Sequence, residues 1–265
     1  MPSAEPTSFE ACGVVALLSD FGTQDPYVGV LKGALLAHAP RANLVDLTHA
    51  VPPQDVQRGA WFLMHARAHF PAGTVFVCVV DPGVGSARAL LCALDGGQAF
   101  LGPDNGLLAP ALSPAAQVFE LPVRAASATF HGRDILAPAA GALVAGKRPE
   151  DLGTPLARAY QRLAFPRVER RGESALTAQV LFADRYGNLV LSAYERDLAG
   201  GPALWEAEID GLRISFSRTY SDVQPGALLA LVDSYAALEI AVRDGSAVER
   251  LGLGPGAPVI LRRRT

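Results

Sequence analysis

The chain has 265 residues, 23 of them lysine or arginine and 26 aspartate or glutamate, for a net charge of -3; half of it is hydrophobic and only 7% is aromatic. So balanced a charge offers no general attraction for nucleic acid or anionic lipid. The 26 glycines and 20 prolines have no Gly-X-Y period and are interleaved with apolar runs, which excludes collagen and disorder and implies many tight turns.

The length admits one large domain or two unequal ones, either with ample surface to bury. Residues 1–11 contain Glu5 and Glu10, Pro2 and Pro6, and no basic segment, which is unlike a signal peptide. No uncharged apolar stretch approaches the roughly 18 residues of a membrane span. A soluble, cytoplasmic chain without nucleic-acid or membrane partners is therefore expected. Arg167–Arg171 carries its own Glu169 and reads as a solvated connection, and Arg262–Arg264 reads as a tail. Cys12, Cys78 and Cys92 sit in apolar runs without a CxxC pair, so buried free thiols are expected rather than a metal site or disulfides.

In chain order, residues 12–19 form a continuously apolar run ending in the polar loop Ser19-Asp20-Phe21-Gly22-Thr23, a buried strand feeding a turn. Tyr27 to Ala39 repeats apolar residues at helical spacing until Pro40 closes it. Asn43–Thr48 is a second strand. Pro52-Pro53-Gln54-Asp55 opens a second helix that runs to about His69 and stops at Phe70-Pro71-Ala72-Gly73. Thr74–Val80 is the strongest strand signal and runs into Asp81-Pro82-Gly83-Val84-Gly85. Shorter strands follow at 88–94 and 98–101, then the turn Gly102-Pro103-Asp104-Asn105-Gly106. Gly132 to Val144 reads as a helix that Gly146 ends.

Strands alternating with helices predict an α/β domain with a mixed or largely parallel sheet. Beyond Gly146 a connection rich in Pro, Arg and Glu leads to short alternating stretches at 176–182, 187–191, 212–216, 227–232, 238–242 and 259–261. Helical periodicity is nearly absent there, which predicts a smaller all-β, barrel-like domain. The expected division is 1–160 and 161–265.

Asp20 and Asp81 each directly follow an apolar strand, at the edge where open α/β sheets bind ligands. Each could instead cap a turn through backbone N–H groups. The chain lacks GxGxxG after its first strand, GxxxxGK[ST], GxSxG and HExxH, which removes the main support for dinucleotide, P-loop, hydrolase-triad and zincin readings. Among the histidines, His131 stands in the polar cluster Thr129-Phe130-His131-Gly132-Arg133-Asp134 where a helix begins. His38, His65 and His69 fall on helix surfaces or ends, and His49 follows a strand and could line the same edge as Asp20. Arg88 begins a strand beyond the glycine turn. A carboxylate, a guanidinium and an imidazole that met there could hold and orient a water or hydroxide.

The segments Ser19-Asp-Phe-Gly-Thr, Val80-Asp-Pro-Gly-Val-Gly-Ser-Ala-Arg88, Gly102-Pro-Asp-Asn-Gly106, Phe130-His-Gly-Arg-Asp134 and Asp184-Arg-Tyr-Gly-Asn188 stand in order over almost the whole chain. Together they resemble the S-adenosyl-L-methionine (SAM) hydroxide adenosyltransferase family, the adenosine-forming SAM hydrolases, relatives of SAM-dependent fluorinating and chlorinating enzymes. The resemblance implies an α/β N-terminal domain, a β-rich C-terminal domain and a homotrimer that binds SAM between subunits. It implies hydrolysis of SAM to adenosine and L-methionine by attack of water or hydroxide at ribose C5′, without a metal or other cofactor. Asp81, Arg88 and His131 would be the catalytic trio. Asp20 would hold the ribose, with Phe21 and Asn105 also contacting substrate, while Asp184, Asn188, Ser234 and Tyr235 would hold the amino-acid end. The loop at Asp81 is of hydrolase rather than halogenase type. Ala236 departs from the glycine usual in the family, which implies a different backbone there. A SAM-dependent halogenase and a non-catalytic SAM- or adenosine-binding protein are the competing readings.

Overall fold

In the computed structural model, residues 9–124 and 127–264 are described; most of the N-terminal segment read above for targeting signals, residues 1–8, lies outside them. The chain divides into two compact units, Met1–Leu163 and Ala164–Thr265.

The first unit contains β1 (Val14–Ser19), α1 (Tyr27–Leu36), β2 (Asn43–Thr48), α2 (Val56–Ala66), β3 (Val75–Val79), β4 (Leu90–Asp95), β5 (Gln98–Pro103), β6 (Gln117–Leu121), α3 (Ala137–Val144) and β7 (Thr154–Pro155). These strands form one sheet in the order β2-β1-β3-β5-β4-β6-β7. The pairs from β2 to β5 are parallel, and those from β5 to β7 are antiparallel. The sheet is therefore mixed. The change of sense comes at Gly96 and Gly97, both at positive φ, which turn β4 directly into β5 as a two-residue hairpin.

β3 is buried at every position, as a strand covered on both faces must be. Val15, Leu17, Val75 and Val77 share a core with Leu31 and Leu35 of α1 and Ala140 and Leu143 of α3. From the other face, Leu18 and Val80 approach Gly59 of α2, where an added Cβ would lie 2.9 Å from Leu107. Asp55 caps α2 by accepting the Arg58 N–H at 2.9 Å, which explains why the helix starts there.

The second unit contains β8 (Glu169–Arg170), β9 (Ala175–Ala183), β10 (Leu189–Tyr194), β11 (Trp205–Ile209), β12 (Leu212–Ser215), β13 (Leu228–Val232), β14 (Ala237–Val242), α4 (Ala247–Leu251) and β15 (Pro258–Arg263). Its path is β12-β11-β15-β9-β10-β14-β13, with β8 on β9. A bridge between Phe216 and Ala230 draws the ends of that path together into a nearly closed barrel. β9 alternates strictly between more and less buried residues over most of its length, as expected of a strand with one face on a core. That core includes Trp205, Leu191, Leu238 and Leu261.

Several elements depart from the sequence reading. β6 and β11 were not anticipated: Gln117 and Glu120 leave β6 three apolar residues without a regular period, and β11 alternates over only five positions. α4 is only five residues long, too short to show a helical period. The helix expected from Gly132 begins as a π-helical turn over Gly132–Leu136 before α3. Burial holds for Cys78 and Cys92, whose thiols it pushes well above the usual range, but Cys12 is exposed. Among the described residues no helix is long and apolar enough to cross a membrane.

Candidate active site

β1 and β3 run parallel with Ser19 opposite Val79, so Asp20, directly after β1, and Asp81, two residues after β3, emerge at the same sheet edge. The loop Asp81-Pro82-Gly83-Val84-Gly85 turns sharply, with the Val84 N–H donating to the Asp81 carbonyl at 3.3 Å. Gly85 has φ +80°, and an added Cβ would lie 2.6 Å from the Ala128 carbonyl. Glycine there lets the loop press against the segment that leads into His131.

The three side chains meet. Arg88 Nε donates to Asp81 Oδ1 at 2.6 Å, and Nη2 donates to the other carboxylate oxygen, a two-pronged pair. The same Nη2 lies 3.1 Å from His131 Nδ1. All three residues are buried or nearly so. The guanidinium can only donate, so Nδ1 accepts, and the neutral ring carries its proton on Nε2. Burial first, and the Arg88 charge second, lower the His131 pKa below its ordinary value against the opposing pull of Asp81 and Asp134. The imidazole is thus held neutral. Arg88 Nη1 is buried without a hydrogen-bond partner among the described residues.

Asp81 and His131 line an open cleft of about 400 Å³ together with Asp20, Phe21, Tyr27 and Phe130. The aromatic side chains form one wall: Phe130 meets Phe21 edge-on at 5.7 Å and Tyr27 at 5.6 Å between ring centroids. Asp20 stands at the mouth. Its Oδ2 accepts the Gln54 N–H at 2.8 Å, and Gln54 adopts φ +67°. The capping alternative for Asp20 is therefore realised across loops, with Oδ1 left over.

Asn105 does not line the cleft. Its amide donates to the Val80 carbonyl at 2.9 Å and accepts the Leu107 N–H at 3.1 Å, clamping the backbone just before Asp81.

The other expected contacts lie in the second unit. Asp184 Oδ1 accepts the N–H groups of Tyr186 and Asn188 at 2.8 and 2.9 Å, and Oδ2 accepts the Asn188 amide at 3.1 Å. Ser234 and Tyr235 are exposed in the turn after β13, where Asp233 Oδ1 accepts the N–H groups of Tyr235 and Ala237, both at 2.8 Å. Between these turns Glu239 is buried and accepts the Tyr220 hydroxyl at 2.8 Å. Its carboxyl is pushed up to about 7, by burial first and by Asp184 and Asp233 in addition, despite that hydrogen bond.

Sequence reasoning did not single out Tyr27, Gln54, Tyr220 or Glu239. Phe130 had a signal, since it precedes His131 in the same motif, but Tyr27 and Gln54 reach the cleft only through the fold. His38 and His69 are exposed, and His65 is half-buried with its Nδ1 2.8 Å from the Trp61 carbonyl. Among the described residues no group of three or more His, Cys, Asp or Glu side chains could hold a metal ion.

Two family models match the chain: the SAM hydroxide adenosyltransferase N-terminal domain over residues 15–153 and its C-terminal domain over residues 178–260. A Thermus thermophilus protein named (R)-S-adenosyl-L-methionine hydrolase is 42% identical over 93% of this chain and 98% of its own. A Salinispora arenicola protein of the same name is 38% identical over 91% and 95%. A fluorinase of an Actinoplanes species is more distant, at 27% identity over 70% and 73%. Among solved structures, one from Thermotoga maritima superposes with a TM-score of 0.85 at 30% identity, covering 94% of this chain and all of that one.

Proposed function

Since the chain belongs to the SAM hydroxide adenosyltransferase family, we propose that it hydrolyses SAM to adenosine and L-methionine. The observation that carries this reading is the Asp81–Arg88–His131 cluster at hydrogen-bonding distances, whose Asp81 and His131 line a cleft that also holds Asp20 and three aromatic rings.

The chemistry asks little of an acid. C5′ of SAM bears a sulfonium, so the C5′–S bond breaks with its electron pair leaving on a neutral thioether. The new C5′–O bond comes from water, whose proton is released to solvent. What the site must supply is an oxygen nucleophile in line with C5′. We assign His131 Nε2–H as a donor to that oxygen and Asp81 as the acceptor of one of its protons. Arg88, spanning both, offsets the Asp81 charge and favours hydroxide character in the bound water. Asp20 holds the ribose hydroxyls, and the Phe21–Tyr27–Phe130 wall covers the nucleoside beside it. Asp184, Asn188, Ser234 and Tyr235 take the amino-acid end.

Because candidate contacts fall on both units, and on the family resemblance, we further propose a homotrimer with substrate shared between subunits; light scattering on the purified chain tests it. Three free cysteines support a reducing, cytoplasmic setting.

The test is incubation with SAM in oxygen-18 water, with and without fluoride or chloride. The "(R)" in the relatives' names can refer only to sulfur, since adenosyl and L-methionine define the other centres, so both sulfonium epimers are supplied. Adenosine labelled at its 5′ oxygen under all conditions is expected. A 5′-halo-nucleoside would replace this reading with a halogenase, and binding without turnover would replace it with a binding protein.

A further inference from the structure

A second hydrogen-bonded chain runs from the surface to Ser19 at the buried end of β1, the residue before Asp20. Lys32 Nζ on α1 donates to Asp46 Oδ2 on β2 at 2.7 Å, and Asp46 Oδ1 lies 3.0 Å from His49 Nε2. His49 Nδ1 lies 2.7 Å from Ser19 Oγ at the end of β1, and Ser19 Oγ accepts the Phe21 N–H at 3.3 Å. His49 also accepts the Gly22 N–H on its own carbonyl at 2.8 Å. Ser19 is fully buried and His49 nearly so, and neither lines the cleft.

The direction of each bond follows from its ends. Against the burial that would raise it, Lys32 and His49 hold the Asp46 carboxyl below its usual range, so an ionised acceptor faces Nε2. Nε2 therefore carries the proton, Nδ1 accepts, and the Ser19 hydroxyl donates to it while receiving the Phe21 N–H. A Ser-His-Asp chain of this kind cannot act as a nucleophilic triad here, because no substrate atom can reach a fully buried hydroxyl.

We propose that His49 is a positioning residue for the nucleoside-binding edge: through Ser19 it locks the backbone on both sides of Asp20 and so sets where that carboxylate meets the ribose. Asp20 sits between the two anchored residues, and its second tether, the Gln54 N–H at 2.8 Å, lies in the loop that follows His49. One imidazole thus ties together the two strand ends that shape the cleft mouth. This inference deepens the functional reading above and rests on it.

The test compares the unaltered chain with H49A, H49N, H49Q, S19A and D20A. SAM kinetics and calorimetric binding of adenosine and 2′-deoxyadenosine are measured for each. Losing a buried hydrogen bond of this kind weakens what it supports by about tenfold. H49A and S19A are expected to raise KM for SAM by roughly that factor, with kcat within about threefold. The preference for adenosine over 2′-deoxyadenosine should shrink toward the D20A level. H49N puts an amide oxygen near the place of Nδ1 and should recover most of the preference. H49Q reaches toward Asp46 instead and should not. If H49A does not fold, S19A and the Asn–Gln contrast carry the test alone. Unchanged preference in an active S19A or H49A, or equal recovery by Asn and Gln, overturns the inference while leaving the hydrolase reading intact. An unaltered chain that neither binds adenosine nor consumes SAM overturns both.

Discussion

At the scale of single residues, His131 is the side chain whose protonation the structure most directly constrains. Its proton-free Nδ1 receives the Arg88 N–H, and burial together with Arg88 lowers its pKa. Protonating the ring would set two cations against each other and break that contact. Activity should therefore hold through neutral pH and fall only as pH drops below the ordinary histidine value of 6.5, which a kcat/KM–pH profile measures. A limb at or above that value would contradict the assignment. Asp81→Asn and His131→Ala should lower kcat by about 100-fold or more while adenosine affinity stays within a few-fold, because general acid–base and positioning groups act on the reacting oxygen. Equal losses in both would make them binding residues. Of this constellation, Asp20 and Asp81 were legible because each follows an apolar run and opens a glycine turn. The meeting of Arg88 with His131, 43 residues apart, was legible only through family resemblance. Tyr27 and Gln54 carry no local signal, since their position depends on how α1 and the loop after β2 cross the sheet edge.

Elements were most readable where burial is uniform. β1 is buried at five of its six positions and β3 at all five, and both stand out as continuous apolar runs; β2, from Asn43 to Thr48, was legible from its pattern although none of its residues is fully buried. The antiparallel half of the first sheet was less readable, because β6 has only five residues and an exposed face. In the second unit, two hairpin loops share one hydrogen-bond plan. Asp184 and Asp233 each receive the N–H groups two and four residues later on Oδ1. The fourth loop residue has positive φ in both: Gly187 at +83° and Ala236 at +60°. Ala236 thus stands in the place of Gly187 with the same type of backbone, not a different one, and it carries the strain of a left-handed L-residue. Such strain costs roughly 1–2 kcal/mol, partly offset by the greater unfolded-state entropy of glycine. Ala236→Gly should therefore stabilise the chain by about 0.5–1 kcal/mol, read as a rise in the urea midpoint. The reverse exchange at Gly187 should be far worse, because an added Cβ would lie 2.2 Å from Ser246 Oγ. A destabilised Ala236→Gly protein would show that the Ala236 methyl makes contacts that outweigh the strain.

At the scale of the whole molecule, the change from helical to alternating periodicity announced two kinds of architecture, and each unit has its own core. The sequence offered no warning of a buried acid in the second unit, on the face of β14 opposite the core residues Leu238, Ile240 and Val242. Glu239 alternates with apolar neighbours in β14 as a solvent-facing residue would, yet it is 4% exposed. With its folded pKa at about 7, against the ordinary 4.5, the native state binds more protons than the unfolded chain between those values. Stability from this group is accordingly full below the unfolded value and lost as pH rises through the folded one. The loss should be on the order of 2 kcal/mol. The two tryptophans allow it to be located, since Trp61 lies in α2 and Trp205 in β11. With Trp61→Phe as background, the fluorescence of Trp205 reports unfolding of the second unit alone. Its urea midpoint should fall between pH 5 and pH 8, and Glu239→Gln, which keeps an acceptor for the Tyr220 hydroxyl without the charge, should flatten that slope. A slope that survives Glu239→Gln would place the titrating group elsewhere and leave Glu239 ionised in the fold at neutral pH.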